Sequence, residues 1–138
     1  MSLSLRYGNI FSVIIIDIDF FKKINDNFGH QVGDDVLKEC SYILSQNIRN
    51  VDTLGRWGGE EFLVVCPETL KDGAKDLAIK LNKAIKLHKF STYPHSVTIS
   101  VGVASCSVND LNYDDIISNA DKALYEAKNN GRDRVEVF

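Results

Sequence analysis

The stretch Arg56-Trp57-Gly58-Gly59-Glu60-Glu61-Phe62 sets the tightest constraint on what this chain can fold into. Loosely alternating residues from Val51 to Trp57 precede it, and the short apolar run Phe62-Leu63-Val64-Val65-Cys66 follows. Two strands joined at Gly-Gly read as a β-hairpin, because glycine reaches the positive φ angles that a tight turn needs. A hairpin imposes antiparallel pairing on the sheet that contains it. Gly58 and Gly59 also carry no side chain, so a ligand can lie against the turn backbone. Glu60 and Glu61 come next. Successive strand residues point to opposite faces, so the two are not expected to serve one site equally. Taken alone, this is a solvated hairpin tip with charged ends. The rest of the chain argues for more.

Phe11-Ser12-Val13-Ile14-Ile15-Ile16-Asp17 is a β-branched run, expected to be a strand buried on both faces. Asp17 and Asp19 close it. Asp19 is expected to cap the following helix, whereas Asp17 has no such structural duty and is open to a ligand role. Phe20 to Phe28 reads as a short helix with Phe21, Ile24 and Phe28 on one face, leaving Lys22 and Asn25 to point elsewhere. Gly29 to Asp34 reads as a glycine-bracketed turn on which His30 is a turn hydrogen-bonder. Asp34 or Asp35 then starts a second helix carrying Val36, Leu37, Cys40, Ile43, Leu44 and Ile48 at helical spacing. Asp72 to Lys89 makes an amphipathic helix whose lysine-rich outer face is a solvated surface. Val97 to Val103 alternates at period two, a strand with one polar face. Tyr113 to Asn129 is the last helix, ended by Gly131, and Val135 to Phe138 reads as an edge strand. The order β α α β β α β α β, with the hairpin, predicts an α+β fold. Its mixed, mainly antiparallel central sheet is flanked by helices in the ferredoxin-like manner.

At 138 residues the chain is long enough for one real core and not for two. A net charge of −3 gives no electrostatic reason to bind nucleic acid or an anionic membrane surface. An anionic ligand must therefore be held by local basic groups and metal. Cys40, Cys66 and Cys106 lie in apolar surroundings without a C-x-x-C pair, which fits buried thiols in a reducing cytoplasm rather than a disulfide framework or zinc site. No apolar run approaches the ~20 residues of a membrane span. The opening Met1-Ser2-Leu3 is abrupt. Residues 1–10 are expected to be a remnant or partial lead-in helix, and 11–138 one domain cut from a longer protein.

Side by side, Asp17-Ile18-Asp19-Phe20-Phe21-Lys22, Asn25-Asp26, Gly29-His30-x-x-Gly33-Asp34, Arg56-x-Gly-Gly-Glu-Glu-Phe and Ala120-Asp121-x-Ala123-Leu124-Tyr125-x-Ala127-Lys128-x-x-Gly131-Arg132 form an ordered set. The set resembles the GGDEF-domain family, the diguanylate cyclases, whose fold is a relative of the nucleotide-cyclase and polymerase palm. The resemblance implies condensation of two GTP into cyclic di-GMP by a pair of domains facing each other, each holding one nucleotide. It implies two magnesium ions per active site, with manganese as an alternative, held by Asp17, the Ile18 carbonyl, Glu60 and, in support, Glu61. Glu60 is the candidate for deprotonating the attacking hydroxyl, with Lys22 and Arg56 also in the catalytic set.

Asn25 and Asp34 match the guanine readers, and a carboxylate that accepts the N1–H and N2 amino protons of guanine distinguishes it from adenine. His30 is placed beside them. Lys22, Lys128 and Arg132 match the phosphate clamp, together with the amides of Phe20 and Phe21 at a helix N-terminus and the Gly58-Gly59 turn. Arg49-Asn50-Val51-Asp52 falls where the family has an R-x-x-D inhibitory site for cyclic di-GMP. The family's usual D-x-L-T-G-L-x-N-R-R lead-in is replaced by Ser4-Leu5-Arg6-Tyr7-Gly8-Asn9, and an N-terminal regulatory module is expected upstream. The competing reading is a catalytically silent module that binds GTP or cyclic di-GMP. Such members usually lose a metal carboxylate or a hairpin glycine, and this chain keeps Asp17, Gly58, Gly59, Glu60 and Glu61.

Overall fold

The computed structural model describes residues 10–107 and 112–138; the lead-in expected before residue 10 lies outside the described residues. The central strand β1 (Ile10–Ile18) is followed by helices α1 (Phe21–Phe28) and α2 (His30–Asn47). Strands β2 (Thr53–Arg56) and β3 (Glu61–Pro67) form the hairpin, and α3 (Lys71–Leu87) follows. The chain closes with β4 (Ile99–Ser107), α4 (Tyr113–Asn129) and β5 (Arg134–Val137). The sheet order is β2-β3-β1-β4-β5. β1 runs antiparallel to β3 and to β4, while the α4 crossover makes β5 parallel to β4. This is the mixed, mainly antiparallel α+β sheet that the hairpin demanded.

Strand periodicity divides the core into two layers. Ile14, Ile16 and Ile18 of β1 join Phe62, Val64 and Val101 on the face covered by α1, α2 and α3. Val13 and Ile15 point the other way, to Ile116, Ala120 and Leu124 of α4. Asp17 continues this second series, so the strand delivers its carboxylate to the α4 side.

Several expectations change in detail. β4 is buried from Ile99 to Ala104 rather than half polar. Gly102 is small because α4 lies directly on it: a Cβ there would fall inside the backbone of Ala120 and Leu124, while the buried Ser100 hydroxyl donates to Asp19. The second helix starts at His30, with Gly29 at φ 91 and no side-chain cap, so neither Asp34 nor Asp35 caps it. Asp19 does not cap α1 either. That place belongs to Phe20, whose left-handed φ of 58 turns the chain without a side-chain bond. In α1 only Ile24 is buried; Phe28 is exposed and stands edge-on to Tyr93. At the hairpin tip neither glycine has a positive φ. The connection is longer than a two-residue turn, closed by the Trp57 amide donating to the Glu61 carbonyl at 2.8 Å, so no left-handed pair is required. Among the described residues no helix is long and apolar enough to cross a membrane.

Candidate active site

β1 ends in a buried carboxylate. Asp17 is 6 % exposed and stands opposite Glu61 in the β1–β3 register. The Ile18 amide donates to the Glu60 carbonyl at 3.2 Å, which pins the hairpin to the end of β1. From the last turn of α4, Lys128 brings its Nζ to 2.5 Å from Asp17 Oδ2. Burial pushes the Asp17 carboxyl above its ordinary range; Lys128 opposes this, while Glu60 and Asp19 add to it. Glu61 is raised too, by burial and then by the charge of Asp17. Glu60 raises Asp17 and lines the cleft at this sheet end, while Glu61 is coupled to Asp17 from outside that lining, so the two glutamates are placed unequally. Glu60 lies in the loop, outside the strand's two-residue repeat. Asp121, which the sequence reading left without a role, belongs to the same group: burial raises it and Lys128 opposes. Its signal was available, because Asp121 and Lys128 are two helical turns apart on one stripe of α4.

A cleft of about 420 Å³ opens at this sheet end, lined by Asp17, Ile18, Phe20, Phe21, Lys22, Lys23, Glu60, Lys128 and Arg132. Its basic wall is built from two left-handed turns. Phe20 turns β1 into α1, and Arg132 (φ 63) and Asp133 (φ 47) turn α4 into β5. The Arg132 guanidinium lies 4.9 Å from the Phe20 ring centroid, and Lys23 Nζ lies 5.0 Å from it. A polyanion in this cleft meets Lys22, Lys128 and Arg132 together.

Asn25, His30 and Asp34 stand outside that lining, on the α1–α2 corner. The carboxamide of Asn25 rests directly on Gly33, with the Phe21 ring beside it, so Asn25 is seated against the neighbour of Asp34. His30 and Asp34 are exposed on the first turns of α2. Arg56 is not in the cleft. Its Nη2 donates to the Gly59 carbonyl and its guanidinium lies 5.5 Å from the Phe62 ring centroid, so it braces the hairpin tip where Gly58 and Gly59 are exposed.

Arg49 and Asp52 form a separate feature at the other end of β3. Asp52 is buried and accepts from Arg49 Nη2 at 2.7 Å, Arg49 Nε at 3.1 Å and the Arg49 amide at 2.9 Å. Burial alone would raise its carboxyl; the Arg49 bonds outweigh burial and hold it below the ordinary range. Arg49 also donates to Thr69 Oγ1 and, with Val51, Pro67 and Glu68, lines a cavity of about 280 Å³.

Among the described residues no three His, Cys, Asp or Glu side chains converge as a ready-made metal cage. Asp17, Glu60 and Glu61 nevertheless fit magnesium, which keeps several waters and is commonly held by one or two carboxylates plus substrate phosphates. Carboxylates at a sheet end facing a basic wall are an arrangement that can hold a metal-bound phosphate.

The comparisons with known proteins agree. The family model of the diguanylate cyclase GGDEF domain matches residues 1–134, and the chain belongs to this family. It is 44 % identical over 128 residues to diguanylate cyclase A of Treponema denticola, covering 91 % of this chain and 34 % of that protein. It is 40 % identical over 133 residues to the response regulator PleD of Caulobacter vibrioides, covering 93 % of this chain and 29 % of that protein. The chain thus spans about a third of the length of these curated relatives. Among solved structures, the active GGEEF domain of a diguanylate cyclase from Vibrio cholerae superposes with a TM-score of 0.89 at 37 % identity, covering 98 % of this chain and 86 % of that one. The GGDEF domain of DgcB from Caulobacter crescentus, in complex with c-di-GMP, gives 0.88 at 25 % identity, covering 97 % and 81 %.

Proposed function

We propose that this chain is a diguanylate cyclase domain that joins two GTP into cyclic di-GMP with release of two pyrophosphates. The observation that carries the reading is the cleft itself, where Asp17 and Glu60 face Lys22, Lys128 and Arg132 across one sheet end. Lys22 and Arg132 hold the triphosphate with the Phe20–Phe21 turn, and Lys128 shifts from Asp17 onto phosphate oxygens when the nucleotide arrives. Asn25 and Asp34 read the guanine edge, with His30 beside them. Two magnesium ions, or manganese, would be held by Asp17, Glu60 and the Ile18 carbonyl with Glu61 in support, and when bound supply charge neutralisation on the phosphates and a more acidic 3′-hydroxyl. Glu60 takes the proton of that hydroxyl. The 3′-oxygen of one GTP forms a bond to the α-phosphorus of the other as the bond to pyrophosphate breaks, and the same step repeats with roles exchanged. Arg56 acts through the hairpin it braces rather than by touching the phosphates.

Each chain carries one half of the reaction centre, so activity requires a second copy facing the first. An upstream regulatory module would hold the copies together, and the longer relatives have room for one. Arg49 and Asp52 serve as the product-feedback site, with Asp52 orienting the arginine fork toward guanine. The domain works in the cytoplasm, where GTP is supplied. Incubation at high protein concentration with magnesium and GTP, with products separated by chromatography, tests the reading. Cyclic di-GMP that disappears in Glu60→Gln, and specific activity that climbs steeply with concentration, are expected. A protein that binds cyclic di-GMP but neither binds nor converts GTP would overturn it in favour of a silent receptor.

A further inference from the structure

We infer that Asp19 is a positioning residue for the phosphate clamp, holding the two turns of the basic wall at the spacing a triphosphate needs. The inference rests on the clamp role of Arg132 proposed above. Asp19 is 4 % exposed and does not line the cleft; it lies behind the wall. Its Oδ2 accepts from Thr98 Oγ1 at 2.7 Å and from the Asp133 amide at 3.0 Å. Its Oδ1 accepts from Ser100 Oγ at 2.6 Å and faces Arg132 Nη1 at 3.9 Å. Its own amide donates to the Thr98 carbonyl at 2.9 Å.

Two hydroxyls and an amide satisfy any buried carboxylate, as burial requires. What singles out Asp19 is which segments it joins. Its chain neighbour Phe20 and its partners Arg132 and Asp133 all have left-handed φ angles without being glycine. Such conformations persist only where the surroundings hold them, and they gather where geometry serves function. Asp19 supplies the hold at both rims: covalently at Phe20, and through the Asp133 amide at the α4–β5 turn. Lys86, at 2.8 Å from Asp133 Oδ2, and Asn82, at 3.2 Å from Asp133 Oδ1, anchor that turn from behind on α3. Above the carboxylate the rims meet where Arg132 stacks on Phe20. At 3.9 Å the Asp19 charge aims the guanidinium without closing a fork on it, which leaves N–H groups for phosphate.

Asp19→Asn keeps the size of the side chain and removes the charge. Calorimetry with magnesium present would compare GTP with guanosine, in the natural chain and in an Arg132→Ala background. Asp19→Asn should weaken GTP by roughly tenfold, the scale of one charge-assisted hydrogen bond. Guanosine binding should hold, and little further GTP affinity should be lost once Arg132 is gone. Equal losses for GTP and guanosine, or losses that add in full with Arg132→Ala, would make Asp19 merely structural and overturn the inference. If Arg132→Ala leaves GTP affinity intact, the clamp reading itself fails and takes this one with it. Should Asp19→Asn not fold, Thr98→Val removes one donor at the half-exposed rim. It should give the same pattern at smaller amplitude, and guanosine loss matching GTP loss would again refute the role.

Discussion

Gly33→Ala separates stability from nucleotide recognition because the two should move in opposite directions. Gly33 is buried on the side of α2 facing α1, and its φ is not positive. An alanine Cβ there would overlap Asn25 Oδ1, come 2.9 Å from Asn25 Cγ and touch Phe21 Cζ at 3.4 Å. All are side-chain atoms, and neither the α1 nor the α2 backbone has to move. Alanine inside a helix is favoured over glycine by up to about 1 kcal/mol, so urea or thermal denaturation should find the variant as stable as its parent or slightly more so. The Asn25 carboxamide, however, must leave its seat. If it gives guanine one or two hydrogen bonds of about 1 kcal/mol each, GTP affinity should fall by roughly five- to thirtyfold. Calorimetric titration with GTP and ATP reads this, and any ATP affinity should change less. Unaltered GTP affinity in a stable variant would refute the placement of Asn25 in the guanine site. A stability loss beyond about 1 kcal/mol would instead mean that the α1–α2 corner is packed more rigidly than argued.

Gly102→Ala should behave differently, because its Cβ meets the backbone of α4: a loss of about 2 kcal/mol or more is expected by urea denaturation, with activity falling as Lys128 is displaced. Asp17→Asn should abolish turnover yet leave the melting temperature equal or higher at neutral pH, since burial disfavours the charged form of Asp17 in the folded chain. Asp52 and Glu39 should shape the acid limb of stability. In both, burial works upward but is outweighed, by Arg49 for Asp52 and by His88 and Ser91 for Glu39, so the folded pKa lies below the ordinary 3.8 and 4.5. Their stabilising contribution is therefore complete above those ordinary values and is lost as pH falls through the folded ones. Melting temperature against pH should drop across this acid window, and Arg49→Ala should remove the share due to Asp52. Calorimetric titration of Arg49→Ala with cyclic di-GMP checks the feedback site; unchanged binding would count against it.

Spacing and turn chemistry made much of the molecule legible. The element order, the burial of β1 on both faces and the bounds of α4 follow from apolar periodicity, which is local. What escaped depended on residues distant in the chain. Asp19 looked like a helix cap because its neighbours in sequence offered that role, but its donors come from Thr98, Ser100 and Asp133. Asp34 looked like a cap because the left-handed angle at Gly29, which lets α2 begin at His30, has no mark in sequence beyond glycine itself. Ser100 and Gly102 read as a polar face, whereas Gly102 is small to admit a helix and the Ser100 hydroxyl is buried against Asp19. Of the candidate site, the carboxylates and basic residues that line the cleft were named from their motifs. The pairing of Lys128 with Asp17, the membership of Asp121 and the bracing posture of Arg56 required the three-dimensional arrangement.

β1 lies third of five strands, hydrogen-bonded on both edges and covered on both faces. An amide at its carboxyl end can exchange with solvent only when the sheet itself comes apart. The Asp17 carboxylate is thus fixed to the slowest-opening part of the molecule. The α1–α2 corner proposed to read the base rests on two helices and a glycine contact, and can loosen alone. On the proposed function, nucleotide would enter and product leave on the timescale of that corner while the end of the strand stays in register.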